Sequence, residues 1–138
     1  MSMTAKPAAW FAPEALPPEA HMHVAKWDEV EAKGVSEQGA EGVTIRVLMG
    51  DNVGAPTCAM RRFDLAPGGR TPYHTHAWEH EVYVLSGKGK VRRAGGESEI
   101  EGGSFVYVAP GEEHCFANVG EDPFVFLCVI PAAKPCVK

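Results

Sequence analysis

The sequence predicts a single all-β domain folded as a sandwich or a barrel. Its 138 residues are the size of one ordinary domain. Its 15 glycines and 11 prolines provide many turns, yet their share stays below the roughly 25–30% that marks low-complexity chains. From Val43 onward, short runs rich in Val, Ile, Phe and Tyr alternate with turn residues. Because no helix fits between these runs, parallel βαβ winding is excluded.

The N-terminal segment differs in composition from the rest of the chain. Residues 1–26 are rich in Ala and Pro and lack periodicity, so we predict an extended N-terminal arm followed by one barrel domain over residues 27–138. Trp10 and Phe11 would anchor the arm on the barrel or on a partner subunit. A stretch from Val24 to Lys33 has mild helical character, which Gly34 ends.

Short β-type runs fill the rest of the chain, and glycine- or proline-containing turns close them. The predicted strands are Val43 to Met49, Thr57 to Leu65, Arg70 to His76, His80 to Ser86, Lys90 to Ala94, Ser98 to Glu101, Ser104 to Val108, His114 to Val119 and Phe124 to Ile130. The clearest turns include Pro67-Gly68-Gly69, Gly87-Lys88-Gly89, Gly102-Gly103 and Pro110-Gly111. Turns this frequent are typical of all-β sandwiches and barrels.

Charge and composition exclude several classes of partner. The net charge of −5 argues against nucleic acid, which attracts basic surfaces, and against an acidic membrane surface. The longest apolar run, Phe124 to Ala133, is far shorter than the ~20 residues that span a bilayer. The N-terminal residues show no pattern of an export signal, so we predict a cytoplasmic protein. The four cysteines contain no CxxC pair and are expected to be reduced thiols.

The histidines are clustered. His74, His76 and His80 fall within seven residues, and His114 follows on another predicted strand. Alternate residues of a strand share a face, and a turn after His76 would bring His80 back toward that face. Three imidazoles placed in this way form three corners of a metal coordination sphere. Exposed strand histidines are nevertheless common without a metal, so an HxH pair alone leaves both interpretations open; His21 and His23 repeat the pattern in the arm.

Two spaced motifs contain these histidines. In the first, Gly68 is followed by five residues, His74-Thr75-His76, three residues, His80, six residues and Gly87. In the second, Gly103 is followed by five residues, Ala109-Pro110-Gly111, two residues, His114, three residues and Asn118. Together they resemble the two motifs of the cupin superfamily over about Thr57 to Pro131.

The match departs from the usual cupin pattern at two places. His80 stands where most cupins carry a glutamate ligand, and the neighbouring Glu81 is the rival occupant if the spacing is four residues. With Glu81 in that role, Gly87 would come one residue too early. Ala109 replaces the usual leading proline of the second motif, and Pro110 comes one place later, so the turn shape is affected while the ligand spacing is kept.

The resemblance is to small single-domain bacterial cupins with a four-histidine site. It implies a cupin barrel (a double-stranded β-helix, or jelly roll), a homodimer, and His74, His76, His80 and His114 as ligands of one divalent metal per chain. Manganese is the metal implied first, then iron, while zinc or nickel occurs in other relatives. The same relatives carry a Phe and a Cys near the metal, at the positions of Phe126 and Cys128.

Strand phase predicts the lining of the barrel. Arg61 shares its phase with Phe63, so an inward Arg61 would bind a substrate carboxylate, although Arg61 and Arg62 also fit an edge-strand charge pair. Phe126, Cys128 and Ile130 share one phase on the last strand. Cys128 fits core packing equally well. Trp78, on the turn between ligands, would wall the cavity mouth or form a dimer contact.

These residues favour metal chemistry on a small molecule. Four neutral imidazoles leave a divalent ion its full charge and two open positions for dioxygen or for a chelating or anionic substrate. We therefore predict a dioxygenase-type enzyme that uses manganese or iron. A redox-neutral isomerase or lyase and a non-catalytic metal- or ligand-binding cupin stay open as alternatives, because the motifs name no catalytic acid or base.

Overall fold

Nine strands form one antiparallel sheet in a computed structural model that describes residues 21–132. The strands are β1 (Lys33–Gly34), β2 (Glu41–Met49), β3 (Cys58–Arg70), β4 (His80–Ser86), β5 (Lys88–Arg93), β6 (Gly96–Glu101), β7 (Phe105–Val108), β8 (His114–Asn118) and β9 (Phe124–Pro131). Two 3-10 turns, Trp27–Glu29 and Asp51–Val53, are the helical elements of the described residues. The predicted all-β class is therefore confirmed.

The order of the strands shows how the sheet curls. The path runs β6-β5-β8-β3-β9-β4-β7, with β2 added to β3 and β1 to β2. The long β3 pairs with β2 and β9 along most of its length and with β8 at Arg70. Because one bent strand joins both parts of the sheet, the sheet folds into a nearly closed barrel, as the sequence predicts.

Buried residues of β4 and β9 build the core. His80, Val82 and Val84 on β4 are buried, whereas the residues between them are exposed. On β9, Phe124 and Phe126 are fully enclosed, with 0% and 2% of their surfaces exposed. The ring of Phe126 lies 4.8 Å from that of Phe116, measured between centroids. These apolar side chains fill one part of the barrel and leave a cavity beside the histidines.

One predicted strand is wrong. Arg70 to His76 was expected to be extended, but β3 ends at Arg70, and the segment from 71 to 79 forms only an isolated bridge between His74 and His114. Pro72 has no N–H to donate to a ladder. Thr71 instead donates its N–H to the Phe116 carbonyl at 2.9 Å. The predicted turn at Pro67-Gly68-Gly69 lies inside β3, where Gly68 has a φ of 82°.

The region before the barrel also differs from its prediction. The mild helix expected over Val24 to Lys33 is reduced to the single 3-10 turn, and Lys33–Gly34 is a short strand. Residues 1–20 of the predicted arm lie outside the described residues. The homodimer stays a prediction. Across residues 21–132, no helix has the length and apolar character needed to cross a membrane.

Candidate metal centre

Three histidines converge at one end of the cavity. His74 and His76 come from the segment after β3, and His114 begins β8. Their potential ligand nitrogens all lie within 4.8 Å of one another. The backbones of His74 and His114 exchange hydrogen bonds of 3.2 and 3.0 Å, which fix the two rings relative to each other. The structure thus places His74 and His76 together without the regular strand that the HxH spacing suggested.

His80 lies beside this cluster on β4. Its side chain is buried, and its ring centroid lies 4.9 Å from that of His76 and 5.0 Å from that of His114. The Nδ1 atom of His80 lies 3.0 Å from the Cys128 sulfur, while its Nε2 is buried with no hydrogen-bond partner among residues 21–132. A buried polar atom without a partner is costly. A metal ion would supply that partner, so the residues fit the group that the motifs imply.

Two histidines of the cluster also have outer partners. His114 donates its Nδ1–H to the Glu112 carbonyl at 2.9 Å, which leaves Nε2 free to bind a metal. The Glu37 carboxylate lies 3.5 Å from Nδ1 of His74. Metal-binding histidines usually have such a carbonyl or carboxylate behind them, because it fixes the tautomer and the ring orientation. The surroundings of both rings therefore match those of metal ligands.

Burial keeps two of these histidines neutral. Desolvation lowers the pKa of His80 from 6.5 to about 3, and the neighbouring His114 and Arg61 add to that shift. Desolvation also lowers the pKa of His114, although its hydrogen bond to the Glu112 carbonyl opposes the change. Neutral imidazole is the form that coordinates metals, so these two rings are in the ligand form at neutral pH.

The low pKa of His80 predicts that the metal-free protein loses stability as the pH falls from about 6.5 toward about 3. An unfolded histidine takes up a proton near pH 6.5, whereas folded His80 does so only near pH 3, so acid favours the unfolded state within this window. Urea denaturation of chelator-treated protein at several pH values measures the effect. In His80→Gln this part of the slope should vanish; an unchanged slope would contradict the assignment to His80.

The cavity that opens on the histidines has a volume of about 180 Å³. Besides the four histidines, its lining residues are Val35, Glu37, Val43, Ile45, Arg61, Phe63, Thr71, Pro72, Phe116, Phe126 and Cys128. Four of the six residues predicted from strand phase and the turn therefore line it: Arg61, Phe63, Phe126 and Cys128. A cavity this small, below the roughly 300–1,000 Å³ of drug-sized sites, suits a small ligand.

The other two predicted lining residues lie elsewhere. The Trp78 ring stacks behind His76, with centroids 4.6 Å apart and planes inclined by 7°. Ile130 is 8% exposed and packs in the hydrophobic core. Its phase on β9 is inward, as predicted, but it pairs with Ala59 near the start of β3, away from the lining. Strand phase shows that a residue points inward, but it does not show whether the residue packs in the core or lines the cavity.

Glu37 is a charged residue of the site that the sequence did not predict. It belongs to neither motif and lies between β1 and β2, on a connection that crosses to the histidines. Gly39 of this connection has a φ of 96° and would place a Cβ 3.5 Å from Pro72. A glycine-containing loop before a strand is visible in the sequence, but its contacts with Pro72 and His74 depend on the barrel closing.

Glu37→Ala is expected to weaken metal binding by about tenfold, the lower end of the range for outer partners of metal ligands, because the carboxylate is partly exposed. Competition of the protein with a metal-binding dye measures the affinity directly. Glu41→Ala is the matched control, since Glu41 is an exposed acid nearby that pairs with Arg70. Equal affinities in the two variants would exclude a role for Glu37 at the centre.

The family model described as "Cupin domain" matches residues 61–130. Among curated proteins, the glucose-6-phosphate isomerase of Pyrococcus abyssi is 41% identical over 66 residues, which make up 44% of this chain and 35% of the isomerase. The match thus spans about a third of that relative. The match therefore concerns part of this chain and does not extend to the whole isomerase.

Two solved structures are similar over most of the chain. The polyketide cyclase RemF from Streptomyces resistomycificus is 33% identical, has a TM-score of 0.78, and is covered over 82% of its chain and 83% of this one. A predicted oxalate decarboxylase from Thermotoga maritima is 25% identical, with a TM-score of 0.72, and is covered over 99% of its chain and 80% of this one. The likeness therefore extends over the barrel as a whole.

Proposed function

The chain belongs to the cupin family, and on that premise we propose that it is a metal-dependent enzyme acting on a small organic substrate. The observation that carries this proposal is the buried, partnerless Nε2 of His80 beside the three clustered histidines. We assign His74, His76, His80 and His114 as the ligands of one divalent metal. Manganese is the proposed metal and iron the next candidate, since both accept imidazole ligands.

For the reaction itself, we propose an oxygenase of the dioxygenase type. Manganese or iron held by neutral imidazoles would supply a Lewis-acidic, redox-active centre at which dioxygen and substrate meet. The residues of the chain hold the four rings and surround the substrate with apolar walls from β2, β3, β8 and β9. Apolar walls exclude water and strengthen electrostatic interactions within the site.

A redox-neutral isomerase, lyase or cyclase is the second candidate, and two observations favour it. The similar proteins reported above are named as an isomerase, a cyclase and a predicted decarboxylase, and none of those names denotes an oxygenase. Glu37 also offers a carboxylate at the cavity, which the motifs alone did not provide. In this reaction class the metal polarises a carbonyl and needs no change of oxidation state.

Oxygen dependence separates these candidates. Elemental analysis should first find close to one metal ion per chain. Protein loaded with manganese, iron or zinc is then incubated with small organic acids and with glucose 6-phosphate, in air and under nitrogen, while an oxygen electrode and mass spectrometry follow turnover. Turnover that consumes oxygen supports the oxygenase; equal turnover under nitrogen and with zinc supports the redox-neutral enzyme. Bound metal without turnover of any substrate would favour a binding protein, and absence of metal would overturn the proposal.

A further inference from the structure

Arg61 is a cation at the cavity with no acidic partner among the described residues. Its side chain is partly buried and lines the cavity together with the histidines. Within residues 21–132, no carboxylate lies within ion-pairing distance of its guanidinium, whereas Arg46, Arg62 and Arg70 each have an acidic partner. Removing a charge from water without a counter-charge is costly, so this cation is suited to a ligand that brings a negative charge.

The hydrogen bonds of Arg61 leave part of its donor capacity unused. Nη2 donates to the Cys128 sulfur, a weak acceptor, at 3.1 Å, and Nε is buried with no hydrogen-bond partner in the described part of the chain. Guanidinium presents a planar fork of N–H groups that matches the two oxygens of a carboxylate. The neighbouring Arg62 shows this geometry when satisfied, since Nε and Nη2 bind the two Asp64 oxygens at 2.8 and 3.0 Å. Arg61 has no such partner among the described residues.

The rest of the lining restricts the body of the ligand. The Phe63 ring lies 5.0 Å from the Arg61 Cζ and stacks on Phe126, with ring centroids 5.0 Å apart. Val43, Ile45 and Phe116 complete the apolar wall. Thr71 offers a hydroxyl, but it already accepts the Phe116 N–H at 2.9 Å. The wall therefore has few groups for the hydroxyls of a sugar and favours an apolar, planar body.

From this arrangement we infer that the substrate is a small apolar or aromatic carboxylate, whose carboxylate pairs with Arg61 while its other end faces the histidines. This inference rests on the proposed function and names its substrate class. The chain of contacts from Arg61 through Cys128 to His80, 3.1 and 3.0 Å long, places the anion site next to the proposed metal. Arg61 would thus orient the substrate relative to the metal.

Calorimetry with benzoate, benzamide and glucose 6-phosphate tests the inference. On zinc-loaded protein, benzoate should bind more tightly than its neutral analogue benzamide and than glucose 6-phosphate. Arg61→Gln should weaken benzoate by about 10- to 100-fold, the usual effect of losing a charge-assisted hydrogen bond, and leave benzamide unchanged. Arg61→Lys should recover part of the loss. Arg62→Gln is the matched control, because Arg62 lies on the opposite face of β3, and it should bind benzoate as the wild type does.

Several outcomes would overturn the inference. They are equal binding of benzoate and benzamide to the wild type, tighter binding of glucose 6-phosphate than of benzoate, or an unchanged benzoate affinity in Arg61→Gln. If that variant does not fold, the comparison of the three ligands on the wild type still decides. Chelator-treated protein separates this inference from the proposed function. Benzoate binding that requires Arg61 but no metal would support the anion site even if the purified protein contained no metal.

Discussion

His76→Ala is expected to abolish stoichiometric metal binding. His76 contributes one of the three clustered ligand nitrogens, and its ring is held flat against Trp78, so the substitution removes a ligand whose position is fixed. Losing an outer partner of a ligand already costs roughly 10- to 100-fold in affinity, and losing the ligand itself should cost more. Elemental analysis after dialysis, together with competition against a chelator of known affinity, measures the loss.

His23→Ala is the matched control for this variant. His23 belongs to the other HxH pair of the chain, and it is an exposed residue away from the histidine cluster. The control should keep a full complement of metal. Metal retained at the wild-type level in His76→Ala would overturn the four-histidine assignment. A loss in both variants would instead show that the arm-side pair contributes ligands.

Gly87→Ala is expected to destabilise the barrel by about 2–5 kcal/mol, a large part of the stability of a small domain. Gly87 closes the first motif at the tight turn between β4 and β5, with a φ of 91° that residues with a Cβ rarely adopt. A Cβ there would overlap the carbonyl oxygen of Pro123 and lie 2.8 Å from the Cα of Phe124. Both are backbone atoms next to the core, so neither can move cheaply.

Gly103→Ala separates the two parts of this effect. Gly103 has nearly the same φ, 95°, but a Cβ added there would meet nothing within 4 Å. The control should therefore show only the backbone cost of about 1–2 kcal/mol. Thermal and urea denaturation of both variants measure the difference. If the two variants were equally stable, the close approach of Gly87 to Pro123 and Phe124 would have no energetic importance.

Two strands bounded by clear turns could be predicted closely from the sequence. β4 was predicted with its observed ends because buried and exposed residues alternate along it, and β9, a continuous apolar run, differs by one residue. The predicted strand Arg70 to His76 was wrong. The HxH spacing looks like strand alternation, but here the segment is shaped by hydrogen bonds to β8, which only the closed barrel provides.

Some residues of the candidate site could likewise be predicted from the sequence, and others could not. Spacing in the two motifs predicted four histidines that the structure brings close together, and strand phase predicted Arg61 at the cavity. Glu37 could not be found, since no local pattern links it to His74. Trp78 and Ile130 were expected at the cavity because turn position and phase were the only guides. The distinction between core and cavity depends on where along the barrel axis a residue lies, which period-2 alternation does not encode.

Because Trp78 stacks on His76, we expect its fluorescence to report on the candidate metal centre. The two rings are nearly parallel and in contact, so an ion bound by the imidazole would change the electric field on the indole. Trp27, by contrast, lies beside the guanidinium of Arg62 at 3.5 Å and reports on the outer surface. Emission from Trp78, isolated in a Trp27→Phe background that also lacks Trp10, would follow occupancy of the centre in real time, without a label and without a known substrate.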